Sequence, residues 1–156
     1  MMKWVSGMVA VSVAAMLLLL GCATTPKSGL AQLQGTWVGQ EVGGQKGPCW
    51  MTIEGDTVKF QGTIQQDWFV GTVALDPKTN PMQATVLMID CGLRQQVNKV
   101  ARAIYKLEGN TLTLANHEPG DEAVPQSFAP DPATRTRAFV FTRRQPPVPD
   151  NKRRAS

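Results

Sequence analysis

The chain has 156 residues, with 16 Lys and Arg against 12 Asp and Glu and a single His, for a formal net charge of +4. The excess is uneven. Residues 143–156 carry Arg143, Arg144, Lys152, Arg153 and Arg154 against Asp150 alone, whereas residues 22–142 hold 10 basic and 11 acidic side chains. A nearly neutral body with a basic end implies no folded basic face, so net charge gives no ground for nucleic-acid binding. The length suits one domain with one core rather than two.

Residues 1–21 begin Met1-Met2-Lys3, run uncharged from Trp4 to Leu20 and end in Leu17-Leu18-Leu19-Leu20-Gly21. A basic start, an apolar core and a small residue at the end are the layout of an export signal. The apolar run is short for a membrane span, which needs about 20 apolar residues. The junction Leu19-Leu20-Gly21-Cys22 resembles the lipobox of bacterial lipoproteins. That resemblance implies diacylation of the Cys22 thiol, cleavage before it, and membrane attachment through the lipid. Several acyl chains hold firmly, since each buried methylene contributes roughly 0.8 kcal/mol. Ala23 comes directly after the cysteine. By resemblance to enterobacterial sorting this implies an outer-membrane location facing the periplasm.

Residues 22–29 are small and polar with Pro26, and read as a flexible tether. The body, residues 30–144, reads as all-β: short runs of β-branched and aromatic residues are punctuated by Gly, Pro, Asn and Asp. Eight strands are expected at roughly 35–42, 49–54, 57–62, 66–75, 83–91, 97–107, 111–116 and 136–144. Gly55-Asp56 and Gly109-Asn110 make tight turns, where a positive φ is cheap. Alternation points Met51, Ile53, Val58, Phe60, Leu112 and Leu114 inward and Trp50 outward with Thr52. Five prolines or glycines in 117–135 make that stretch the long loop. Eight antiparallel strands in one domain most economically close into a barrel, which removes exposed edges. Residues 145–156, Pro-rich and then basic, are expected to be disordered.

With Cys22 committed to lipid, Cys49 and Cys91 are left as an even pair in an oxidising compartment, where a disulfide is the default. The alternative is two buried free thiols, which behave as small apolar residues. Two thiols and one histidine without ligand spacing make a poor metal site.

Four segments, Leu33-Gln34-Gly35-Thr36-Trp37, Met51-Thr52-Ile53-Glu54-Gly55-Asp56, Leu75-Asp76-Pro77 with Pro81, and Ile104 through Leu112, occur in one order. Together they resemble the small lipocalin-like domain family abundant in Planctomycetes, over about Leu33 to Arg144. The chain departs from that pattern at Ala103, where the family has Gly, at Val124-Pro125, where it has Arg-Pro, and in its Cys49 and Cys91. The Gly35-x-Trp37 start also resembles the lipocalin and wider calycin signature. This implies a tryptophan plugging one barrel end and an arginine of the last strand, Arg143 or Arg144, packed over it.

Enzymatic patterns are scarce. His117 reads as a surface-loop histidine, and Ser28, Ser127 and Ser156 lack a nucleophile-elbow context. Glu54, Asp56 and Glu108 are explained by turns, and Asp67 and Asp90 by solvent-exposed strand ends. No phosphate loop, dinucleotide fingerprint, zinc motif or calcium loop is present. No catalytic residue, metal or cofactor is therefore expected. Phe60, Trp68 and Phe69 are the candidate ligand-binding residues, since an eight-stranded barrel is either filled or holds one small ligand. The expected function is a non-catalytic envelope binding module for a small apolar or amphipathic ligand. The alternative is a periplasmic protein-interaction or inhibitor module using Trp50 or loop 117–135.

Overall fold

The computed structural model describes residues 29–145. The expected export signal, Cys22, all but Gly29 of the expected tether and all but Gln145 of the end expected to be disordered lie outside the described residues. Eight strands succeed one another in chain order: β1 (Gly35–Glu41), β2 (Cys49–Glu54), β3 (Thr57–Gln61), β4 (Trp68–Asp76), β5 (Met82–Cys91), β6 (Val100–Glu108), β7 (Thr111–Asn116) and β8 (Arg137–Arg143). Each pairs antiparallel with its sequence neighbours, and β1 pairs with β8, closing the barrel. Every expected strand is present, with β2 and β7 matching at both ends and no end differing by more than three residues.

The difference at β6 has a local cause. A short 3-10 turn at Arg94–Gln96 and a positive φ of 65° at Asn98 occupy the stretch that pattern alone assigns to the strand. A second unexpected element is α1 (Gly29–Gln32), a single helical turn whose four residues are too few for helical periodicity to register. Among the described residues no helix is long and apolar enough to cross a membrane.

The two ends of the barrel differ in their connections. At one end β2–β3 and β6–β7 are joined by two residues each, with Gly55 and Gly109 at φ 62° and 60°. Those left-handed conformations are open to Gly without the Cβ clash. At the other end lie the long connections 42–48, 62–67, 92–99 and 117–136.

Most of the expected inward set is buried: Met51, Ile53, Val58, Phe60 and Leu112 are in the core, with half-buried Leu114 packed against it. Outside the wall, Ile104, Ala115 and Ala138 form a second cluster under Val124 and Phe128 of the long loop. That loop therefore lays its apolar side chains on the barrel's own outer face. It also covers His117, which is 6% exposed rather than at the surface. The backbone N–H of His117 donates to the Arg102 carbonyl, and its imidazole Nδ1 lies 3.5 Å from an Asp121 carboxylate oxygen.

The Cys49–Cys91 disulfide is not formed; both residues are buried free thiols. Cys49 opens β2 and Cys91 ends β5, with β3 and β4 between them. Three strand spacings amount to about 14 Å along the sheet, far beyond the ~4.4–6.8 Å Cα separation of a bridge. The Cys91 thiol donates instead to the Leu93 carbonyl at 3.0 Å. Burial pushes the Cys49 thiol up to about 11, with Glu41 adding to the shift and Arg137 opposing it.

Candidate functional site: a hollow barrel with one sealed end

The barrel encloses a cavity of about 550 Å³. Register explains why it is hollow. Leu75 pairs with Ala84, Ala84 with Ala103, Val73 with Val86, and Val86 with Ala101. Ala84, Ala101 and Ala103 thus stand side by side with Val73 and Val86 across β4, β5 and β6, and these short side chains do not reach the middle. The aromatic wall is built from β3, β8 and Phe69 near the start of β4. Phe60 stacks on Phe69 at 5.3 Å and meets Phe139 edge-on at 5.5 Å, and Phe139 stacks on Phe141 at 5.8 Å. Gly39 makes room for this wall, since a Cβ there would fall 2.6 Å from the Phe141 ring and 2.3 Å from the Val140 carbonyl oxygen.

Of the residues singled out from sequence, Phe60, Phe69 and Trp68 all line the cavity. Phe60 and Phe69 face the interior from paired positions, whereas Trp68 sits at the start of β4, on the long-loop end. Trp50 is 40% exposed on the outer face.

The short-turn end is sealed. Leu33 is buried and Leu30 packs on the core above Trp37, which is fully buried. The Trp37 indole N–H donates to the Leu33 carbonyl at 2.9 Å. Arg143 lies 4.1 Å above the indole and donates to the carbonyls of Gln34 and Gln32. Those two carbonyls sit at the end of α1 and two residues beyond it, where a helix leaves its last carbonyls without helical partners. Arg144, the other arginine considered for this role, contributes its backbone N–H to the Thr36 carbonyl. Gln34 clasps the β2–β3 turn reciprocally, its side chain both accepting from the Gly55 N–H and donating to the Gly55 carbonyl. Tyr105 stands near this end with its hydroxyl beneath Gly29, raised in pKa by burial and then by Asp76.

The long-loop end is polar. Arg137, the first residue of β8, donates to both oxygens of Glu41 at 2.7 and 3.0 Å and to both oxygens of Asp67 at 2.9 and 2.6 Å. Its guanidinium also lies 4.9 Å over the Phe139 ring. Burial alone lowers its pKa, but the hydrogen bonds and charges of the two carboxylates carry it above the ordinary value. Asp67 is thus corrected from a solvent-exposed strand end to half of a clamp, with only 22% of its side chain exposed. Two glycines give the carboxylates their space. A Cβ on Gly62 would lie 2.0 Å from Asp67 Oδ2, and one on Gly44 2.6 Å from Glu41 Oε2. Asp90 does stand at an exposed strand end, 3.5 Å from Arg94.

Sequence reasoning missed Arg137 and Glu41. The available signal was an arginine directly before the apolar run Ala138-Phe139-Val140-Phe141, with Glu41 and Asp67 each close to a glycine. Val42, Ile64 and Leu93, on three of the loops at this end, remain 41%, 49% and 45% exposed.

Compared with protein-family models, curated proteins and solved structures, the chain matches none.

Proposed function

We propose that the chain is an envelope lipoprotein, anchored through Cys22, whose barrel binds a small apolar or amphipathic molecule without transforming it. The observation that carries this reading is the cavity of about 550 Å³, walled by Val73, Val86, Ala101, Ile53 and Phe60. Small-molecule sites are concave, mostly apolar and roughly 300–1,000 Å³, with few polar groups. The charged groups here gather at the long-loop end, and the walls between the two ends are apolar apart from the Tyr105 hydroxyl near the sealed end. The anchor rests on Leu19-Leu20-Gly21-Cys22, and the lipocalin-like resemblance agrees with a barrel that begins at Gly35-x-Trp37.

Mass spectrometry of organic extracts from natively purified protein tests the binding reading. A stoichiometric small molecule, or saturable uptake of an apolar fluorescent dye, is the expected result; neither extract nor dye signal would sink it. For the anchor, labelled palmitate should enter the full-length chain and not the Cys22→Ser variant.

A second reading, a protein-interaction module, is favoured by Trp50, whose 40% exposure on the outer wall suits a contact surface. Crosslinking in the envelope should then trap one partner, and Trp50→Ala should abolish the product.

A further inference from the structure

We infer that the cavity selects a single-chain amphiphile with a cationic head group and turns away anionic ones, an inference that rests on the binding reading above. The charged residues lining the cavity are Glu41, Asp67, Glu118, Asp131, Arg135 and Arg137. Four acids face two bases, and both bases are already engaged. Arg135 pairs with Glu118. Arg137 directs Nε, Nη1 and Nη2 to Glu41 and Asp67 in four hydrogen bonds. A guanidinium has five N–H donors, so the arginine nearest the aromatic wall is almost exhausted as a donor.

Acceptors are in surplus at the same place. An ionised carboxylate offers roughly four lone-pair sites, and Arg137 uses two on each partner. A carboxylate or sulfate head placed here meets two acids and, on Arg137, a single N–H not already given to them. A cationic head meets the net negative charge that Glu41 and Asp67 keep around the one guanidinium. The other end sets the orientation, because Trp37, Leu33 and Arg143 close the barrel there. The alkyl chain enters along Val73, Val86 and Ala101, and the head stays among the long loops.

Competition with a bound fluorescent dye, using decyltrimethylammonium, decanol and decanoate on the full-length protein, tests this. At low salt the cation should displace dye at least about tenfold more tightly than decanoate, and more tightly than decanol. The ratio should shrink in high salt as the charges are screened. Decanoate or decanol equal to or better than the cation overturns the head-group inference while leaving the hollow-barrel reading intact. Failure of all three to displace dye, or the absence of dye uptake, strikes the binding reading instead. The Glu41→Gln, Asp67→Asn double variant frees the Arg137 donors and removes two negative charges. If it folds by circular dichroism, its preference should shift towards decanoate; an unchanged ratio overturns the inference. The native series decides the matter alone if the variant does not fold.

Discussion

At one end of β8 Arg143 stacks 4.1 Å over Trp37 and gives its hydrogens to backbone carbonyls; at the other Arg137 stacks 4.9 Å over Phe139 and gives them to two carboxylates. The geometries are alike, and the acceptors make the difference. Carbonyls are neutral and belong to the chain's own entering turn, so Arg143 fastens the first residues of the domain to its last strand. Carboxylates carry charge, and two of them around one guanidinium leave a net negative site. The same residue type therefore completes a lid in one place and polarises an opening in the other.

Substitutions separate these roles. Trp37→Ala should have the largest effect, lowering stability by about 3–5 kcal/mol in urea unfolding, because a fully buried indole leaves a cavity the sealed end cannot collapse into. Arg143→Ala should cost about 2 kcal/mol by losing the ring contact and the hydrogen bonds to Gln34 and Gln32. Arg137→Met should also cost about 2 kcal/mol, since Glu41 and Asp67, only 14% and 22% exposed, lose four hydrogen bonds that water at the half-open site replaces in part. It should also tighten binding of the decyl cation. Tighter cation binding in Arg143→Ala rather than in Arg137→Met, measured by the same dye competition, would break the comparison.

The smallest effect concerns pH. The Cys49 thiol rises from 9.0 to about 11 on folding, chiefly through burial, so the folded state holds that proton more tightly than the unfolded chain. Its contribution is complete below pH 9.0 and is lost as pH climbs towards 11. Urea midpoints at the two ends of that window should fall more for the native protein than for Cys49→Ala. Parallel losses would remove the Cys49 contribution.

The barrel was legible in the sequence because each of its signals is local. Alternation in Met51-Thr52-Ile53 and Val58-Lys59-Phe60, and the glycine turns at Gly55 and Gly109, report on neighbours in the chain. The hollow was less so, since it depends on which small residues meet across strands: Ala84 beside Ala103 is a fact of register, separated in the chain by a whole loop. Arg137 lies 96 positions from Glu41 and 70 from Asp67, and each reads alone as an ordinary charged strand end. Pairing Cys49 with Cys91 by number failed because a count carries no information about strand order.

Strand order around the barrel has a consequence for timing. Seven of the eight seams join segments adjacent in the chain and can zip as soon as both strands exist, but the β1–β8 seam joins the first strand to the last. Until β8 is made, β1 keeps one bare edge and Trp37 lacks its arginine cover, the exposed state from which chains misassociate. The locking residue, Arg143, is the final residue of that final strand. A chain cut short within β8 would keep the walls made by β2 to β7 but leave β1 unpaired along that edge and Trp37 without its latch.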